Sequence, residues 1–125
     1  MGNILIVAAG GAAGSVTRHL VGTASLRLFG AGFPVGTLIV NILGSFLMGV
    51  FIELLALRFN ASEQLRLLVA TGFLGGFTTF SAFSLDFVTL WQRGETVAAV
   101  AYAGISVVAS LLALAGGLAL VRALA

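Results

Sequence analysis

"TGFLGGFTTFSAFSLD", Thr71 to Asp86, reads as a membrane helix that cannot run straight through. Glycines 72, 75 and 76, the adjacent Thr78 and Thr79, and Ser81 and Ser84 interrupt an apolar segment, with Phe80 and Phe83 beside them. Each glycine weakens a helix by about 1 kcal/mol relative to alanine, and the threonine hydroxyls can cap the start of a second half-helix. A helix broken at membrane depth exposes carbonyls where its first half ends and N–H groups where its second begins. Such backbone persists only where it is buried in protein, lines water or holds an ion. Carbonyls suit a hard cation, whereas hydroxyls and N–H groups suit an anion. A glycine kink filled by its own threonines is the plainer alternative.

Membrane residence follows from composition. The chain has 125 residues, 60% hydrophobic and 8% charged, with a mean hydropathy of +1.19; soluble domains carry about 25% charged residues. There is no cysteine, so no disulfide framework is available. All 6 basic residues are arginines, and they are scattered. The pI of 10.6 thus reflects a shortage of acids and not a nucleic-acid-binding face. No cleavable signal peptide is evident, because the first apolar stretch lacks a basic leader and no polar mature domain follows.

A span needs roughly 20 apolar residues, and four fit a single transmembrane domain over residues 1–125, at about 4–28, 34–57, 64–91 and 96–121. The connections "FGAGF", "RFNASE" and "QRGE" are short, so neighbouring spans run antiparallel. Pro34 suits the first turn of a helix. Ser62 before Glu63 and Gln64 reads as a helix start, and Trp91 with Arg93 as an interfacial end. The apolar segments are too long for barrel strands and do not alternate with period two. The predicted class is an all-α membrane protein with four transmembrane helices, the third of them broken.

Charge leaves the orientation open. The N-terminus, second connection and C-terminus share one side with Arg58, Arg66 and Arg122, while the other side has Arg27 and Arg93, with Arg18 nearby. Orientation follows arginine and lysine bias near span ends, and here there is almost none. Two opposed copies could pair as the two-chain form of an inverted repeat; a fixed topology set by weak local signals is the alternative.

Small and polar residues recur at helical spacing. Gly10, Gly14 and Arg18 lie four apart, as do Thr37, Asn41, Ser45 and Gly49, and Tyr102, Ser106 and Ser110. Close helix packing accounts for most such stripes, but less well for Asn41, an amide eight residues into its span. It marks either an interhelical hydrogen bond or a pathway. Arg18 either snorkels to the interface or lines a pore. His19 has no second ligand candidate, so a metal site there is not expected. Glu53, Glu63, Asp86 and Glu95 stand near span ends, and the first thirty residues hold no carboxylate.

Phe80 and Phe83, three apart, share a face just past the break. Phenylalanine stripes usually mean core or lipid contact. Yet a ring edge is positive and offers an anion weak, reversible stabilisation, which is what conduction requires. With the Asn41 amide and the hydroxyls of Ser81, Ser84, Ser106 and Ser110, the chemistry favours a small, strongly hydrogen-bonding anion.

"GGAAGSVTRHL" (10–20), "GTLIVNILGSFLMG" (36–49) and "GFLGGFTTFSAFSLD" (72–86) resemble the fluoride channels of the Fluc/CrcB family, in order and across the chain. The resemblance implies an antiparallel dual-topology homodimer in a bacterial-type inner (plasma) membrane, with two fluoride pores and a structural sodium ion at the dimer centre. It implies Asn41 as the pore amide, Phe80 and Phe83 as an aromatic box, and main-chain carbonyls of Gly75 and Thr78 on the sodium. Tyr102, Ser106 and Ser110 match the family's polar positions on the fourth span, and Ser81 and Ser84 those on the third. Thr37 and Arg18 also match; His19 stands where an aromatic is common. The expected function is passive, non-enzymatic fluoride export that relieves fluoride toxicity. The rival is a small dual-topology multidrug or cation antiporter, which wants a carboxylate deep in the first span. A structural assembly factor would have no use for Asn41 or the break.

Overall fold

A computed structural model describes residues 1–57 and 62–125. All its regular elements are helical. α1 runs Gly2–Phe29 and α2 Val35–Leu57. The third span comprises α3 (Glu63–Arg66), a π-helical segment (Leu67–Leu74), the short α4 (Gly75–Phe77) and, beyond a break, α5 (Phe80–Gln92). α6 (Thr96–Leu124) closes the bundle. The four units are long and apolar enough to cross a membrane. The second connection, and with it Arg58 of the charge balance, lies outside the described residues.

Local signals account for most helix ends. Ser62 is extended and accepts from Leu65 N–H at 3.3 Å, the expected cap. Pro34 stands one residue ahead of α2, and its carbonyl accepts from Leu38 N–H. α5 ends at Gln92 with Arg93 as its C-cap, and Gly94 follows at φ 82°, where only glycine fits comfortably.

Backbone contact sets the packing. A Cβ on Gly10 or Gly14 would overlap the carbonyl oxygens of Leu68 and Phe73, so α1 lies against the π segment with no side chain between them. Gly49 of α2 and Gly117 of α6 meet the carbonyls of Leu114 and Phe46 in the same way. At the end of that second seam Arg122 Nε donates to Glu53 Oε1 at 3.2 Å, so the carboxylate, only 7% exposed, is paired. Leu90, Ala99 and Tyr102 form a small core with Phe33, Leu38, Phe83 and Phe87 packed around it. Outside it, Leu85, Leu111 and Leu112 stay exposed, as lipid-facing or partner-facing residues must.

The third span breaks later than its glycines imply. Gly75 has a helical φ of −63° and ψ of −38°, whereas Thr78 and Thr79 are extended. Gly72 and Gly76 are contact surfaces: a Cβ on Gly72 would press on the Gly10 backbone, and one on Gly76 would run into the Gly11 backbone. The break itself belongs to the two threonines.

Candidate functional site

Breaking a helix strands its backbone groups, and in a bilayer each needs a partner. Thr78 Oγ1 donates back to Leu74 O at 2.9 Å, and Thr78 N–H reaches the same oxygen. Thr79 Oγ1 caps α5 by accepting from Ala82 N–H at 3.1 Å. Asn41, from α2, grips Thr79 at both ends: Nδ2 donates to Thr79 O at 3.1 Å and Oδ1 accepts from Thr79 N–H at 2.8 Å. On the opposite side Arg18 Nε donates to Gly76 O at 3.0 Å. Arg18 therefore points inward to the break; it does not snorkel. Among the described residues, no bond of the break ends on the carbonyl oxygen of Gly75 or Thr78.

An open hollow of about 300 Å³ lies beside the break, lined by Asn41, Ser45, Thr78, Thr79, Phe80, Phe83, Ser106 and Ser110 together with Val107 and Leu111. Its polar donors come from three directions. An amide carries two hydrogens on nitrogen, and Asn41 spends one on Thr79. The first N–H groups of α5 open nearby with the positive end of the helix dipole. Ser106 and Ser110 supply hydroxyls that are buried and, among the described residues, without a hydrogen-bond partner. That is unusual for this chain. Thr17, Thr23, Thr78 and Ser84 each return their hydroxyl to the carbonyl four residues back, the default within a helix.

The rings run on from the hollow. Phe80 and Phe83 have centroids 5.4 Å apart, and Phe83 and Tyr102 5.3 Å. Phe33 meets Tyr102 edge-on at 5.5 Å. Tyr102 is fully buried, and its hydroxyl donates to Asp86 Oδ2 at 3.1 Å. Asp86 in turn lines a second cavity of about 580 Å³, with Arg18, His19, Thr37 and Thr79 in its wall.

The sequence-derived set is thus divided in space. Asn41, Phe80, Phe83, Ser106 and Ser110 share the hollow, while Thr37 and Arg18 share the second cavity. Tyr102 touches a ring of the one and a carboxylate of the other. Ser81 and Ser84 are exposed: Ser81 lies 3.2 Å from the Thr79 hydroxyl, and Ser84 donates to Phe80 O. Three further residues enter unannounced. Ser45 has the right spacing on the Asn41 stripe, but along the sequence it reads as packing; Thr79 reads there as a cap, and Asp86 as a span-end acid.

Comparison with known proteins agrees over nearly the whole length. Residues 5–118 match the family described as CrcB-like protein, Camphor Resistance (CrcB). A protein of Rhizobium etli (strain CIAT 652) named fluoride-specific ion channel FluC is 61% identical over 120 residues, 96% of each chain. Its namesake in Rhizobium leguminosarum bv. trifolii (strain WSM2304) is 60% identical over 121 residues, 97% of each. That of Mesorhizobium japonicum is 54% identical over 124 residues, 99% of each.

Proposed function

The chain belongs to the CrcB family, and from that premise we propose that it is a fluoride-specific ion channel, not an enzyme, which exports fluoride passively and so protects the cell from its toxicity. The observation that carries this reading is the pair of orphan hydroxyls, Ser106 and Ser110, buried in the ring-walled hollow beside Asn41. Donors left unpaired in a low-dielectric setting are costly unless a ligand meets them, and a small anion is that ligand. Among the described residues none that lines the hollow is a fixed cation, so binding stays reversible. Fluoride is the smallest halide and the strongest hydrogen-bond acceptor among them, so it gains most from such a lining.

Export needs no pump. Hydrogen fluoride enters an acidified cell and dissociates in the more alkaline interior, where the anion is trapped. An inside-negative potential favours outward movement by about 2.3 kcal/mol per 100 mV, roughly a fifty-fold gradient. The path runs from the larger cavity at Thr37 past Tyr102 to the hollow. Ser81 and Ser84 join it where a second, antiparallel copy covers the exposed face carrying Phe80, which is 77% exposed in one subunit. That arrangement is the dual-topology homodimer, seated in the plasma (inner) membrane and providing two pores.

The break also suits a sodium ion at the centre of such a dimer. Among the described residues the Gly75 and Thr78 carbonyls have no donor while their neighbours are claimed, and oxygen dipoles are what a hard cation takes. These two residues, with the same two of a second copy, would hold it. Bound there, it would offset the carbonyl charge and tie the two breaks together. The antiporter alternative finds no support, since α1 carries no aspartate or glutamate.

In liposomes loaded with potassium fluoride, addition of a potassium ionophore is expected to release fluoride at once. Fluoride that stays trapped, with dimeric protein confirmed in the membrane, would refute the reading.

A further inference from the structure

Arg18 invites assignment as the charge that draws anions into the channel, since it lines the larger cavity. The geometry points to a different role, and we propose that Arg18 is a positioning residue that acts through one hydrogen bond to the broken helix and not through its charge. Gly76 O would normally accept from the N–H four residues on, at Phe80, but extended Thr78 and Thr79 carry Phe80 away. The break thereby orphans Gly76 O, and Arg18 Nε takes it at 3.0 Å. The reach is set by α1. Gly10 and Gly14 lie in backbone contact with the π segment, and Arg18 comes one turn later, at the level of Gly76.

Two clamps consequently hold the break, Arg18 from α1 and Asn41 from α2. Between them they determine where Thr78, Thr79 and the start of α5 sit, and so where Phe80 and Phe83 point. The field of the guanidinium is a poor candidate for the function. Asp86, of opposite sign, lines the same cavity, and the hollow with the orphan hydroxyls does not include Arg18.

The donating atom makes the idea testable. Nε is the atom bonded to Cδ, and glutamine carries its amide nitrogen at that same remove from the backbone. Arg18→Gln therefore keeps the N–H and deletes the charge. Arg18→Lys keeps the charge but moves the donor one atom outward, and Arg18→Met deletes both. Two readouts on purified, dimeric protein decide: fluoride efflux from liposomes, and amide hydrogen exchange in the peptide spanning Gly75 to Ser81. Arg18→Gln is expected to conduct within about threefold of the parent, with unchanged exchange. Arg18→Met and Arg18→Lys are expected to lose about tenfold in flux, the scale of a buried charged-group hydrogen bond, with faster exchange at the break. Normal flux in Arg18→Lys with loss in Arg18→Gln would overturn the proposal in favour of charge. Normal exchange in Arg18→Met would also overturn it. The flux readout rests on the fluoride reading, but the exchange readout does not. If the parent itself fails to conduct, exchange alone still decides the role of Arg18.

Discussion

Asn41→Asp changes one atom, and its effect can be worked from the two bonds that Asn41 makes. Oδ1 can still accept from Thr79 N–H, the 2.8 Å contact. The 3.1 Å bond from Nδ2 to Thr79 O becomes an oxygen facing an oxygen, and leaving that carbonyl unsatisfied costs about 1–3 kcal/mol. The carboxylate also brings a negative charge into the hollow that the anion must cross. At about 4 Å and an effective dielectric of 20, two like charges repel by about 4 kcal/mol. Each 1.4 kcal/mol is tenfold, so fluoride occupancy should fall roughly a thousandfold. The assay is ionophore-triggered efflux from liposomes at neutral pH, with size-exclusion chromatography to confirm that the dimer forms. Flux within fivefold of the parent would show that Asn41 does not border the ion path.

Phe80→Ile and Phe83→Ile should each lower fluoride flux at least tenfold while the dimer forms, because a ring edge is lost and apolar bulk is kept; ordinary efflux in both would make the rings mere packing. Exchange of sodium for a larger monovalent cation during purification and reconstitution should reduce activity, since no side-chain charge at Gly75 and Thr78 can replace the ion; full activity in rigorously sodium-free buffer would remove the site. A single cysteine placed at the C-terminus should label from both sides of the membrane in intact cells, and labelling from one side would exclude opposed subunits.

What the sequence made legible was whatever depends on neighbours along the chain. The spans follow from apolar run length, and Ser62 and Thr79 cap helices because a hydroxyl can reach an N–H three residues on. The π segment had no such signature. It lies where α1 is in backbone contact through Gly10 and Gly14, residues more than fifty positions away. Glycines 72, 75 and 76 looked like the break because glycine is a poor helix former. The tertiary use of Gly72 and Gly76, letting α1 approach, outweighs that propensity, and the break falls at Thr78 and Thr79, where Asn41 and Thr78's own hydroxyl hold the backbone. Asn41 had been open between an interhelical bond and a pathway; it makes the bond and also faces the hollow. The Tyr102–Asp86 and Glu53–Arg122 pairings join separate spans, and residue type alone does not match such partners.

The central claim is that this chain conducts fluoride itself, in preference to chloride and without exchanging it for protons. Reversal potential in a planar bilayer tests that claim most directly, with fluoride and chloride gradients set independently. The account predicts a potential that follows the fluoride gradient alone and does not move when chloride or pH is changed on one side. A potential that tracks chloride, or that shifts with the proton gradient in fixed proportion to fluoride, would contradict it.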